Sequence, residues 1–177
     1  METNFDGPLK MTQAFLPLMR KGGTGNSASR IVNVSSVGSK LSNIPSSSLR
    51  TQIRHASSLP QVTHLRDAYL FSVRSGTESA DGWPTGKAYS VSKALLNAQT
   101  QVFAAENDSV LVNCCCPGWC DTDMGGLIGG KPSKTTAEGA RIPLRLAFGD
   151  VGGVSGEYWE NERVSDKGEG RPSDWME

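Results

Sequence analysis

The chain has 177 residues, enough for one domain with a sizeable core, and its 18 Lys and Arg balance 18 Asp and Glu. That balance, with no basic run interleaved with aromatics, excludes the electrostatic footprint of a nucleic-acid binder. No apolar stretch approaches the roughly 18 residues of a membrane span, and Met1 is followed by Glu2, Asn4 and Asp6, unlike a signal peptide, so a soluble cytoplasmic protein is expected.

In chain order, Phe5, Leu9, Phe15, Leu16 and Met19 fall mostly three and four residues apart and predict an amphipathic helix over 3–20, stopped by Lys21-Gly22-Gly23. Arg30-Ile31-Val32-Asn33-Val34 reads as a short, buried parallel strand. From 37 to 81 serines cluster, and Val62, Leu65, Tyr69 and Val73 mark a helical stripe, so this segment is expected to be an insertion carrying one helix, not a separate domain. A helix over 87–106 ends at Asn107-Asp108, and 110–115 is a second buried strand. Gly125, Gly126, Gly129 and Gly130 then make a glycine-rich loop. Thr135 with Glu138 forms a capping box that opens a helix running to about Phe148. Residues 156–159 read as a third short strand, and the polar, Gly-rich tail beyond Glu162 is expected to fray. Strand, helix, strand, helix, strand is the pattern of an α/β protein with a parallel, doubly wound sheet.

Cys114, Cys115, Cys116 and Cys120 crowd one strand end. Neighbours on a strand point to opposite faces, so these are expected as small buried hydrophobes and not as a metal cage. His55 and His64 have no companion ligands and are expected at the surface; no metal site is predicted.

Three features carry chemistry. Tyr89 and Lys93 stand at i and i+4, on one helix face. A cation about 4 Å from a phenol favours its anion by roughly 4 kcal/mol at an effective dielectric of about 20, which suits general acid/base work. Taken alone, the pair is more simply read as a half-buried tyrosine beside a surface lysine. Ser35-Ser36 follows a strand directly, at the end where open α/β sheets bind ligands, although a serine there also caps loops; no Gly-x-Ser-x-Gly elbow surrounds it. Cys116-Pro117-Gly118-Trp119-Cys120-Asp121-Thr122-Asp123-Met124 follows the second strand. Its glycine would let backbone approach a flat ligand, and its threonine hydroxyl suits a carboxamide, against the plainer reading of a strand-to-helix turn.

In order and spacing the three resemble the short-chain dehydrogenase/reductase family. That family has a serine after its fifth strand, Tyr-x-x-x-Lys on the next helix, and Pro-Gly-x-x-x-Thr after its sixth strand, matched by Ser36, by Tyr89 and Lys93, and by Pro117-Gly118 and Thr122. Its catalytic asparagine, in an Asn-x-x-Gly stretch, is matched by Asn4-Phe5-Asp6-Gly7. The 53 positions between Ser36 and Tyr89, with Gly82-Trp83-Pro84 ahead of the tyrosine and Cys115-Cys116-Pro117-Gly118-Trp119 further on, look like the carbonyl reductase subgroup. Asp121 departs from the basic or neutral residue common there, which would weaken attraction for an anionic ligand.

The resemblance implies NAD(P)H-dependent reduction of a ketone or aldehyde. Tyr89 would donate the proton, Lys93 would favour its anion and contact the nicotinamide ribose, Ser36 would hold the substrate oxygen, and Asn4 would support a relay water. Pro117, Gly118 and Thr122 would position the carboxamide. Trp119 and Met124 would line the substrate side, beneath the 125–130 loop as a lid. By subgroup NADPH is expected over NADH, and a monomer over a dimer.

The family opens with a Gly-rich strand-to-helix turn for the pyrophosphate. Gly22-Gly23-Thr24-Gly25 follows a helix instead and is not that turn. The expectation is therefore the C-terminal part of a doubly wound Rossmann-type domain over 1–165, with about three strands, helices on both faces and a polar tail over 166–177. Its exposed sheet edge would be prone to associate. The alternative is a truncated, catalytically inactive chain that only binds a partner.

Overall fold

A computed structural model describes residues 1–19, 28–127 and 129–177. The expected stop at Lys21-Gly22-Gly23 and the Gly22–Gly25 loop lie outside the described residues. The opening helix forms in three pieces: a π-helical turn over Glu2–Asp6, helix α1 over Gly7–Phe15 and a 3-10 turn over Leu16–Leu18. Pro17 has no N–H to give back to the preceding turn, so the regular helix ends there.

Strand β1 (Ser29–Val34) runs parallel to β2 (Val110–Cys115), in register from Ser29 opposite Val110 to Val34 opposite Cys115. β2 is also parallel to β3 (Tyr158–Glu160), and β3 is antiparallel to β4 (Arg171–Pro172), giving the order β1-β2-β3-β4. β2 is flanked on both sides and buried at every residue, whereas among the described residues β1 pairs only with β2 and stays mostly half-buried. Among the described residues the sheet therefore has four strands, against the expected three or so.

The fourth strand corrects the expectation of a frayed tail. Trp175 is 2 % exposed and packs in one core with Phe5, Leu41, Ile44 and Trp83. Its carbonyl accepts from the Leu41 amide at 2.9 Å, and the Ser173 amide donates to the Tyr158 carbonyl at 2.8 Å. One aromatic anchor holds a segment that composition alone marks as loose.

The serine-rich insertion holds two helices instead of one: α2 (Ser47–Arg54) and α3 (Leu59–Ser75). Ser46 caps α2 by accepting from the Leu49 amide at 3.2 Å, and Leu49 and Ile53, four apart, are its buried residues. Its serines are thus a cap and a solvent face. Trp83 meets Tyr69 of α3 edge-on at 5.3 Å, fastening the end of the insertion.

Helix α4 (Ala88–Ala105) is buried almost all round, as a helix between a sheet and another helical layer must be. Short α5 (Asp123–Gly126) follows β2, and the Thr135–Glu138 capping box opens α6 (Thr136–Gly139). The expected helix to Phe148 breaks at Ala140 before α7 (Arg141–Phe148), because Pro143 cannot donate to the Gly139 carbonyl. Alternate residues of β2 serve the two faces. Cys114 packs on the α4 side, while Leu111 and Cys115 meet Ile142 and Leu146 of α7. The α/β fold with helices on both faces is as expected.

Candidate active site

Because β1 and β2 are parallel, the segments after them leave the sheet at the same end. After β1, Ser36 caps a 3-10 turn over Val37–Ser39: its Oγ accepts from the Gly38 amide at 3.1 Å and its carbonyl from the Ser39 amide at 3.0 Å. Ser39 Oγ donates to the Ser36 carbonyl at 2.5 Å and is itself held by Asn97 Nδ2 of α4 at 2.8 Å. The serine's carbonyl is therefore held twice by Ser39, which α4 anchors in turn through Asn97.

Tyr89 lies in the first turn of α4 and is 44 % exposed. A methyl group added at Gly38 would stand 3.5 Å from Ser36 Oγ and 3.8 Å from Tyr89 Cε1. The serine hydroxyl and the tyrosine ring thus flank one point. One turn along α4, Lys93 sets its Nζ 5.8 Å from the centre of the Tyr89 ring and donates to the Val34 carbonyl, at the end of β1, at 2.8 Å.

Burial lowers the Lys93 pKa, because removing water penalises the ammonium form. Cys115 and Cys116 would oppose that shift only as thiolates, and burial pushes the Cys115 thiol up to about 12, so near neutral pH it stays protonated. Lys93 is held by the Val34 carbonyl, and no carboxylate among the described residues forms an ion pair with it.

Asn4 falls in the π-helical turn, a distortion that concentrates at functional sites. Its Nδ2 donates to Ser92 Oγ at 3.1 Å, and Ser92 Oγ donates to the Tyr89 carbonyl at 2.7 Å. Asn4, Ser36, Tyr89 and Lys93 are brought together around the start of α4. Ser92 was not expected. Its only sequence signal is its place one turn beyond the tyrosine, inside the motif.

The second loop joins this cluster through Cys116, whose thiol accepts from the Gly118 amide at 3.4 Å and lies against the Val37 amide. Gly118 has φ +85°, and a Cβ there would meet the Val164 carbonyl at 2.4 Å and Lys134 Nζ at 2.5 Å. The protein's own packing is enough to require the glycine. Lys134, 2 % exposed and not expected at the site, donates to the Pro117 carbonyl at 2.9 Å.

Thr122 caps α5, its Oγ1 accepting from the Gly125 amide at 3.1 Å. Trp119 turns to its own loop, the indole donating to the Gly125 carbonyl at 2.9 Å, and Met124 is 62 % exposed. Ile128, in the middle of the expected lid, lies outside the described residues. Cys114, Cys115 and Cys116 are buried as expected and Cys120 only partly so, while His55 and His64 are exposed. Among the described residues no helix is long and apolar enough to cross a membrane.

A family profile described as Enoyl-(Acyl carrier protein) reductase matches residues 71–154. The chain is 36 % identical over 168 residues to Short-chain dehydrogenase/reductase 1 of Saponaria officinalis, covering 93 % of this chain and 53 % of that protein. It is 34 % identical over 175 residues to carbonyl reductase (NADPH) 1 of Oryctolagus cuniculus, covering 93 % and 59 %. The solved salutaridine reductase of Papaver somniferum superposes with a TM-score of 0.75 at 29 % identity, over 88 % of this chain and 51 % of that one. The chain thus spans little more than half the length of the relatives it matches. Together with the tyrosine, lysine and serine at one sheet end, these matches place it in the short-chain dehydrogenase/reductase family, on the carbonyl reductase-like side.

Proposed function

We propose that the protein reduces a small-molecule ketone or aldehyde to the alcohol with NADPH. The observation that carries this reading is the approach of Ser36 Oγ and the Tyr89 ring to one point beside Gly38, with Lys93 one turn beyond. Matched relatives named as NADPH carbonyl reductases support the substrate class and the cofactor.

The donor set fits a nicotinamide nucleotide. The Tyr89 phenol is open to solvent, and the Lys93 ammonium is held by a single carbonyl among the described contacts, leaving protons for ribose hydroxyls. Thr122 Oγ1 accepts from the Gly125 amide in its helix cap and donates to the Cys120 carbonyl over a long 3.5 Å, a contact it would exchange for a carboxamide oxygen. Pro117 and Gly118 would border the same group. When bound, NADPH supplies the hydride.

The remaining work falls to this chain. Ser36 Oγ donates to the carbonyl oxygen and fixes its position. Tyr89 gives its proton to that oxygen as negative charge develops on it, and the Lys93 cation stabilises the phenolate left behind. Asn4, tied through Ser92 to the tyrosine's turn, supports a water that returns the proton. Trp119 and Met124 border the substrate side.

Replacing Tyr89 with Phe removes the proton and keeps the ring, so kcat for carbonyl reduction is expected to fall by about 10²–10⁴-fold. Turnover retained in Tyr89→Phe would refute the assignment. A second reading, a non-catalytic module that binds a partner along β1, is favoured by the half-buried edge of that strand and by exposed Met11, Phe15 and Leu18. It predicts a parent protein that consumes no NADPH with any carbonyl.

A further inference from the structure

We propose that Glu160 is a positioning residue for Ser36, a buried carboxylate that ties the serine's turn to the C-terminal segment. This rests on the reductase reading above. Glu160 ends β3 and is only 8 % exposed. Its carboxylate collects three partners: Lys40 Nζ at 3.0 Å, Ser173 Oγ donating at 2.9 Å and, from its own strand, the Tyr158 hydroxyl donating at 3.1 Å.

The Lys40 partner gives the cluster its reach. Lys40 is the next residue after the Val37–Ser39 turn that Ser36 caps, and its amide closes that turn on the Val37 carbonyl at 3.3 Å. One residue further, the Leu41 amide is bound by the Trp175 carbonyl. The far end of the turn is therefore clamped twice, by Glu160 through Lys40 and by the C-terminal segment through Leu41. At its near end stands the hydroxyl meant for the substrate, and a Cβ added at Gly38, in its middle, would stand 3.8 Å from the Tyr89 ring. Glu160 touches neither substrate nor cofactor; it acts by setting where Ser36 stands relative to Tyr89.

A buried carboxylate deprived of its cation, or a cation deprived of its carboxylate, lets go of the same end of the turn. The two single losses should then not add. Displacing a substrate-positioning group by an ångström costs up to about a hundredfold in rate.

The experiment is a double-mutant cycle in the full protein, with Glu160→Gln, Lys40→Met and both together. Steady-state kinetics with NADPH and a ketone are read beside amide hydrogen exchange. Each single variant is expected to lower kcat by roughly tenfold, with KM for NADPH within about twofold, and the double variant to be no worse than the poorer single one. Exchange should quicken at Gly38, Ser39 and Leu41 and stay unchanged at Val112 and Cys114. Additive losses, an unchanged kcat, or exchange raised evenly across the sheet would overturn the proposal. Lys40 is partly exposed, so Lys40→Met keeps the fold even where Glu160→Gln does not. A parent without turnover sinks the reductase reading alone, and the exchange measurement still decides the clamp: quickening confined to 38–41 upholds it, and none overturns it.

Discussion

Gly118 stands with φ +85°, and the space its side chain would fill belongs to the Val164 carbonyl and the Lys134 ammonium. Left-handed backbone costs a residue with a Cβ about 1–3 kcal/mol, and here a Cβ also meets a carbonyl that cannot yield cheaply. Gly118→Ala is therefore expected to destabilise the protein by at least about 1 kcal/mol, read as a lower midpoint in denaturant unfolding. An unchanged midpoint would show that the loop relaxes freely. The glycine was legible as special in the Pro-Gly pair, but its packing neighbours were not, because the two atoms that exclude a side chain come from 16 and 46 positions further along the chain, at Lys134 and Val164. Local sequence shows that a position is constrained; only packing shows by what. Ser36, Tyr89 and Lys93 were singled out by local spacing read through the family resemblance, and the structure gathers them at one end of the sheet.

At the scale of elements, the two longest buried elements had accurate bounds. The expected 110–115 strand and 87–106 helix match β2 and α4 to within a residue; β2 is buried at every position, and Asn107-Asp108 marks the end of the helix. Two of the misses share a cause. In α2 and in the C-terminal segment, two buried residues or one are enough to fix an element whose other positions face water, so composition reads as loop. The capping box of α6 was legible from Thr135 and Glu138 alone, and it carries a pH signature. The side chain of Lys167 and the Thr135 amide hold the Glu138 carboxyl down at about 2, against an ordinary 4.5. A depressed folded value means the stabilisation is complete above pH 4.5 and is lost as pH falls through about 2. Glu138→Gln keeps the capping geometry and removes the charge. The variant is expected to melt below the parent at pH 7, with the gap narrowing steadily between pH 4.5 and 2; a gap independent of pH would show that the charge contributes nothing.

For the whole molecule, the parallel pairing of β1 and β2 is what makes two distant stretches one site. It puts the turn after Val34 and the loop after Cys115 at the same end of the sheet, and α4 delivers Tyr89 and Lys93 between them. Sequence spacing could suggest this arrangement by family resemblance, yet the fastening of the serine turn by Lys40, Glu160 and Trp175 depends on contacts across more than a hundred positions and left no local trace. The central claim is that the hydroxyls of Ser36 and Tyr89 converge on one carbonyl oxygen. A crystal structure of the protein with NADPH and a ketone-bearing inhibitor tests it most directly. The account predicts a single ligand oxygen within about 3.2 Å of both hydroxyls, and hydroxyls that open into separate cavities, or reach no common atom, would contradict it.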